Sequence, residues 1–134
     1  MFAAWADPDA KARWFAGPGA EHELDLRVGG REVSRGRHPD GSTLTFESTY
    51  YDIVPNERIV YASALYGGET LATVSLTTVE LAPDDEGPGE GTRLRLTQQG
   101  SFLDGHEEPG WREQGTSDQL AALDAELRRD TGGQ

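Results

Sequence analysis

The order of the predicted elements is the feature that most constrains the fold of this chain. Between Leu24 and Gln99 the sequence predicts six short β-strands joined by tight turns, and one helix from about Trp111 to Arg129 follows them. A curved antiparallel sheet needs another element to cover its concave face. A long helix that comes last can cover this face and leave a pocket between helix and sheet. The order therefore predicts an α+β fold in which the sheet wraps around the C-terminal helix.

Alternating apolar and polar residues define the strands, and clusters of Gly, Pro, Asn and Asp separate them. The first strand contains Leu24, Leu26 and Val28. The others are predicted over Arg31–Arg37, Thr43–Val54, Arg58–Tyr66, Leu71–Leu81 and Thr92–Gln98. Because side chains alternate between the two faces of a strand, we expect these residues to face inward: Leu24, Leu26, Phe46, Tyr50, Ile59, Tyr61, Val74, Leu76, Leu94 and Leu96.

Helices are predicted at both ends of the chain. Asp7 can cap a helix whose first residue is Pro8, and this helix should reach about Phe15, with a shorter helix over residues 1–6 before it. The final helix carries an apolar stripe that would lie on the sheet, formed by Thr116, Leu120, Leu123 and Leu127. We therefore expect one domain over residues 1–130 and a disordered tail over 131–134.

Composition excludes several classes of protein. The chain has 134 residues and no cysteine, so disulfides and thiolate chemistry are excluded and a reducing compartment such as the cytoplasm is expected. The net charge of -12 disfavours nucleic acid and anionic membranes as partners. No apolar run approaches the ~20 residues of a membrane span. No histidine pair has the spacing of metal ligands, and no catalytic motif occurs, so neither a cofactor nor a metal is predicted.

Seven segments in this order are similar to the START-like, or SRPBCC, superfamily, whose members have the helix-grip fold. Within it the chain resembles the branch of homologues of the activator of the 90-kDa heat-shock-protein ATPase, and also proteins described as polyketide cyclase-like. The segments that carry the resemblance cover about Asp7 to Leu127: DPDAKARWF, LDLRVGG, PDG, FESTYYDIVPNERIVYAS, TVSLTTVEL, GTRLRLTQQGSF and REQGTSDQLAALDAEL.

The resemblance also implies a strand that this sequence lacks. Members of the family normally have a strand before the first helix, and it lies in the middle of the sheet. A strand with about four inward apolar residues contributes about 6–12 kcal/mol, and a whole domain is stable by only about 5–15 kcal/mol. We therefore expect an upstream start, a truncated chain, or a partner chain that supplies the strand and forms a homodimer.

A cavity between sheet and helix is what the fold of the relatives implies. It would hold a hydrophobic ligand, aromatic or lipid-like, and the alternative is an ordinary packed core. Gly115, inside the last helix, costs about 1 kcal/mol relative to alanine. Either close packing or room for a ligand would explain it. The candidate ligand-binding residues are Trp14, Phe46, Tyr50, Tyr61, Val74, Leu96, Phe102, Trp111, Thr116 and Leu120.

Three functions remain open from the sequence. The first is a small-molecule binding module without covalent chemistry. The second is a cyclase or aromatase, which would need Glu47, Asp52 or His106 to face the pocket as an acid or base. Glu47 and Asp52 fall on opposite faces of an ideal strand, so both can share a face only if a bulge intervenes. The third is an interaction with a chaperone, as the name of the resembling branch implies.

Overall fold

One antiparallel meander sheet of six strands dominates the computed structural model, in the order β1-β2-β3-β4-β5-β6. The structure describes residues 2–16, 20–37, 41, 43–84, 91–103 and 109–132, without the side chains of 84, 109, 111 and 129–132. The strands are β1 Glu21–Leu24, β2 Arg31–Arg37, β3 Thr43–Val54, β4 Arg58–Gly67, β5 Thr70–Asp84 and β6 Gly91–Phe102. The predicted α+β helix-grip architecture is confirmed.

The first and last strands form the two edges of this sheet. Among the described residues, β1 pairs only with β2, and β6 pairs only with β5. A second chain that pairs with either edge, as the expected homodimer would require, stays a prediction. β1 is shorter than predicted, because the chain turns after Leu24 and the exposed Val28 lies in that turn.

Two short helices and a π-helical turn form the N-terminal segment. They are α1 Phe2–Ala6, α2 Pro8–Lys11 and the turn Ala12–Ala16. The side chain of Asp7 accepts a hydrogen bond from the backbone N–H of Asp9 at 3.1 Å and so caps α2, as expected. The indole Nε1 of Trp14 donates to the carbonyl oxygen of Ala4 at 2.8 Å, which ties the π-helical turn to α1.

The C-terminal helix, α3, spans Pro109–Gly132. It begins before the predicted Trp111 because proline fits the first turn of a helix. It also includes two residues of the predicted tail, and residues 133–134 lie outside the described ones. Leu123 is buried, and Thr116, Leu120 and Leu127 are half-buried, so the predicted stripe does face the protein interior. Glu126, also buried, accepts from Arg13 Nε at 2.7 Å and fastens α3 to the π-helical turn.

The predicted facing of β5 is wrong by one residue. Val74 and Leu76 are 46% and 43% exposed on the outer face, whereas Thr73, Ser75 and Thr77 are buried. Register explains this phase, because Val79 lies opposite the buried Ile59 and the odd-numbered residues from Thr73 to Leu81 share its face. Short hydroxyl side chains therefore stand on the concave face where we expected larger apolar ones.

A β-bulge between Tyr50 and Asp52 changes the phase of β3. Tyr51 is the extra residue, and it lies 61% exposed on the outer face. Tyr50 before the bulge and Ile53 after it both join the core, which strict alternation would not allow. The core itself is formed by Ala4, Trp5, Trp14, Tyr50, Ile59, Tyr61, Val79, Leu81 and Leu123.

Candidate functional site

A cavity lies between α3, the N-terminal segment and the concave face of the sheet, where the fold predicts it. It encloses about 310 Å³ and opens to solvent on one side. Aromatic side chains form much of its wall: Trp5, Trp14, Phe15, Phe46 and Tyr61. The polar groups of its lining are Ser34, Gln98, Arg112, Thr116 and Gln119. We call this space the helix cavity.

Six of the ten candidate ligand-binding residues line the helix cavity: Trp14, Phe46, Tyr61, Leu96, Thr116 and Leu120. Phe102 lines an adjoining open space of about 430 Å³, which shares Leu96, Thr116 and Leu120 with the cavity. The extension of β6 to Phe102 brings this side chain there.

Three candidates are placed elsewhere or not described. Tyr50 is buried in the core beneath the cavity, where its hydroxyl is bonded to Glu32, so it is not a lining residue. Val74 points away from the cavity, because the phase of β5 turns it to the outer face. Trp111 lies in the first turn of α3, and its side chain is outside the described part of the structure.

A polar group of side chains stands on the sheet at the end of the cavity nearest the start of α3. Gln98 Nε2 donates to Thr77 Oγ1 at 3.0 Å, and Arg112 Nη1 donates to Ser75 Oγ at 3.4 Å. Burial and the charge of Glu32 raise the pKa of Tyr61, although a hydrogen bond with Thr77 and the charge of Arg112 oppose this. The Tyr61 phenol therefore stays protonated at neutral pH and can donate a hydrogen bond.

Gly115 also lines the helix cavity. A Cβ atom added there would meet no atom of the described structure within 4 Å. Close packing therefore does not explain this glycine. Gly115 is exposed as well as lining the cavity, so the space beside it is open.

Behind the aromatic wall lies a buried ionic group, the Glu32 cluster, formed by Lys11, His22, Glu32 and Tyr50. Glu32 Oε1 accepts from Lys11 Nζ at 2.9 Å and from the Tyr50 hydroxyl at 2.6 Å. Glu32 Oε2 lies 2.6 Å from His22 Nε2. Because a carboxylate only accepts hydrogen bonds, the proton of this last bond belongs to the histidine nitrogen. All the hydrogen bonds converge on one carboxylate, which has no exposed surface.

Charges within the cluster hold its central group ionised. Burial alone would raise the pKa of Glu32, but the charge of Lys11 and hydrogen bonds from His22, Tyr50 and Lys11 lower it to about 2. Burial lowers the pKa of Lys11, and the charge and hydrogen bond of Glu32 oppose that change. The same burial and the charge of Glu32 raise the pKa of Tyr50. The cluster is thus a carboxylate surrounded by donors.

The aromatic wall serves both the cluster and the cavity. The Lys11 Nζ atom lies 4.3 Å from the ring centroid of Phe15, 5.0 Å from Trp5, 5.6 Å from Trp14 and 5.9 Å from Tyr61. These four rings also line the helix cavity. The ammonium is fully buried among them and is stabilised by their electron-rich faces as well as by Glu32.

The sequence analysis did not predict the Glu32 cluster. One signal was present: Lys11, Trp14 and Phe15 are three and four residues apart and so share one face of a helical segment. A second was the position of Glu32 on the predicted strand Arg31–Arg37, where its side chain faces inward. Arg112 was not among the candidate ligand-binding residues, although it lines the cavity.

The candidate acids do not reach the cavity. Glu47 is paired with Arg31 and Asp52 with Arg58, and neither acid lines the cavity. The bulge places Asp52 on the outer side together with Glu47, and His106 lies outside the described residues. In the part of the chain that the structure describes, no group of three His, Asp or Glu side chains could hold a metal ion. Over the same residues, no helix is long and apolar enough to cross a membrane.

Comparison with known proteins places the chain in a family. A search of the curated proteins found no match. An uncharacterised protein from Rhizobium leguminosarum is 40% identical, with a TM-score of 0.88 over 96% of this chain and 84% of that one. A protein from Rhizobium loti is 44% identical, with a TM-score of 0.83 over 93% and 85% of the two chains.

More distant relatives share the same architecture. A protein from Chromobacterium violaceum is 30% identical, with a TM-score of 0.74 over 92% of this chain and 84% of that one. The family described as Activator of Hsp90 ATPase homolog 1-like protein matches residues 1–128, which is nearly the whole sequence. The resemblance stated from the sequence is confirmed, and this chain belongs to that family within the START-like superfamily.

Proposed function

We propose that this protein binds a hydrophobic small molecule in the helix cavity without covalent chemistry. The observation that carries the proposal is the space of about 310 Å³ between α3 and the sheet, with aromatic walls and a few polar groups. Its volume lies at the lower end of the range for ligand pockets, which supports binding of a compact aromatic or lipid-like molecule.

Different residues of the cavity would make the apolar and the polar contacts with a ligand. Phe46, Tyr61 and Leu120 offer apolar contact, and Thr116 and Gln119 offer hydrogen bonds from the helix. Thr73 and Ser75, which have short side chains, line the adjoining open space, because β5 turns the larger Val74 and Leu76 outward. Binding then needs only displacement of solvent from a preformed site.

The cyclase alternative has less support. Among the described lining residues there is no carboxylate and no imidazole, so a general acid or base would have to be Tyr61 or a residue outside them. An interaction with a chaperone follows only from the name of the family. We therefore keep both as alternatives to ligand binding.

Filling the cavity tests the proposal. Thr116→Trp places an indole in the space from α3, and Ala121→Trp adds the same group on the exposed side of that helix. With the full chain and the neutral dye Nile red, we expect saturable fluorescence enhancement for the wild type and for Ala121→Trp. For Thr116→Trp we expect at least a tenfold loss of affinity. Equal dye binding by all three proteins, or none by the wild type, would overturn the proposal.

A further inference from the structure

We propose that the ligand of the helix cavity is an amphipathic molecule with two parts. Its apolar ring system lies against the aromatic wall, and its neutral, hydroxylated part, of the size of a sugar, lies in the adjoining open space. This inference rests on the proposed function and names the class of ligand. It starts from the contrast between two spaces under α3, one with aromatic walls and one lined mainly by polar side chains.

The two spaces border each other along α3. They share lining residues from the last strand and from the helix: Leu96, Gln98, Arg112, Thr116 and Leu120. The helix cavity encloses about 310 Å³ and the adjoining space about 430 Å³. A ring system that fills the first leaves the second beside it, and a molecule that extends past the shared residues would occupy both.

Short hydroxyl side chains line the adjoining space from both sides. Thr73 and Ser75 of β5 are buried on its floor, and Thr116 and Ser117 line it from α3. A hydroxyl group can donate one hydrogen bond and accept two, as the hydroxyl groups of a sugar can. An apolar group in this position would remove these polar atoms from water without giving them partners, which is costly. The lining therefore favours a group that itself has several hydroxyls.

Gly100 of β6 keeps this floor uncovered. It lies opposite Ser75 in the pairing of the two strands and lines the adjoining space. A Cβ atom added there would lie 3.5 Å from the Ser75 Cβ and 3.6 Å from the Thr73 Cγ2, and its closest atom, the Val74 carbonyl oxygen, would be 3.4 Å away. These are ordinary contact distances, so packing does not require a glycine. The lack of a side chain leaves room for a ligand group beside the hydroxyls of β5.

Other side chains of the adjoining space suit a neutral polar ring better than an ion or a hydrocarbon chain. Phe102 offers an apolar surface for the C–H groups that a sugar ring presents on its faces. Arg112, bonded to Ser75 Oγ at 3.4 Å, and the exposed Glu113 have opposite charges. A hydroxyl group can accept from a guanidinium or donate to a carboxylate, whereas an ionic group would be repelled by one of the two.

The test uses two probes with the same aromatic ring system, 2-naphthol and 2-naphthyl β-D-glucopyranoside, titrated calorimetrically into the full chain at neutral pH. We expect the wild type to bind the glucoside at least about tenfold more tightly, because a few hydrogen bonds between neutral groups together contribute about this much. The sugar makes the probe more soluble in water, so a gain in affinity could not come from the hydrophobic effect.

Two substitutions fill the adjoining space from opposite sides. Ser117→Trp adds an indole from α3, and Gly100→Val adds a branched side chain from β6. Neither residue belongs to the lining of the helix cavity. Each substitution should reduce the affinity for the glucoside to about that for naphthol and leave the affinity for naphthol unchanged. Ala121→Trp, on the exposed side of α3, is the control and should keep the preference for the glucoside.

Circular dichroism and Nile red binding of each variant show whether the fold and the helix cavity are intact. Equal or weaker binding of the glucoside by the wild type, or a preference that survives either substitution in a folded variant, would overturn the inference and leave the proposed function standing. Failure of the wild type to bind Nile red and both probes would overturn the proposed function itself.

Discussion

The two sides of the aromatic wall differ in how their polar groups are used. Behind the wall, every hydrogen bond of the Glu32 cluster goes to one carboxylate, and Lys11 and Glu32 have no exposed surface. In front of it, polar side chains from β2, β6 and α3 surround a space large enough for a ligand. The first arrangement fixes the N-terminal segment to β1, β2 and β3, and the second forms the site that we propose for a ligand.

Within one small domain, the Glu32 cluster thus contributes to stability and the helix cavity to the proposed binding. A buried ion pair is seldom more stabilising than apolar residues of the same shape, but breaking it by removing one partner is very costly. The Glu32 cluster therefore makes one arrangement of α2 against the sheet far more stable than any other, because any other would break the buried ion pair. The rings that enclose Lys11 are positioned by it, and they present their other surfaces to the cavity.

The largest effect should follow from breaking the cluster. Lys11→Met leaves the Glu32 carboxylate buried without its cation, so we expect the free energy of unfolding to fall by about 3–5 kcal/mol. Urea denaturation followed by circular dichroism measures this. The double variant Lys11→Met, Glu32→Gln should recover part of the loss, since it removes both charges.

An exposed ion pair is the matched control for this prediction. Arg27 and Asp25 form one in the turn after β1, and Arg27→Met should change stability by less than about 1 kcal/mol. If Lys11→Met were no worse than Arg27→Met, the cluster would not be the element that orders the N-terminal segment.

Acid should weaken the cluster over a defined range of pH. The pKa of Glu32 is about 2 in the fold, against 4.5 for an unperturbed glutamate. A carboxyl group whose pKa is lowered by folding stabilises the protein fully above its unfolded pKa, and this contribution is lost as the pH falls toward the folded one. We expect about 3 kcal/mol to disappear between pH 4.5 and 2.

Glu32→Gln isolates that contribution from the other carboxyl groups. Urea denaturation of both proteins across this range should show curves that converge as the pH falls, because the variant has no such group to protonate. Parallel curves would mean that Glu32 is not responsible for the acid sensitivity.

The smallest predicted effect comes from a residue that lines the helix cavity. This substitution should raise the free energy of unfolding, whereas the earlier ones lower it. Gly115→Ala should stabilise the chain by about 1 kcal/mol, because alanine is the better helix former and its Cβ meets nothing there. It should also weaken Nile red binding, because Gly115 lines the cavity and an added methyl group would take up space at its wall. The exposed Gly110, near the start of α3, offers a control: Gly110→Ala should leave dye binding unchanged. If Gly115→Ala bound the dye as tightly as the wild type, this glycine would not serve ligand space.

The sequence was sufficient for the architecture because its signals are local. Turn residues and alternation located β2 and β3 at their observed bounds, and the segment order identified the superfamily. The same local signals did not predict which residues of β5 face inward. Its inward residues Thr73 and Thr77 are more polar than the outward Val74 and Leu76, so the usual rule selects the wrong face.

The Glu32 cluster needed information that only the fold contains. Lys11 and Glu32 are 21 residues apart, on a helix and a strand, and nothing in the spacing of their neighbours joins them. The apolar lining from Phe46, Tyr61 and Leu96 was predictable because each lies on a strand whose phase was assigned correctly. Arg112 required knowledge of how α3 begins over the sheet, and this depends on tertiary packing.

The bulge at Tyr51 has a consequence for how this family can change in length. β3 therefore consists of two alternating segments, before and after Tyr51, that are offset from each other by one residue. Deleting Tyr51 would restore strict alternation, with Tyr50 and Ile53 still inward and Asp52 still outward, so the pairing of β3 with β4 would be kept. Loss of one residue should therefore be tolerated at this bulge, as at exposed turns such as Gly67-Gly68, whereas deletion of a paired residue such as Glu47 would reverse the facing of one part of β3.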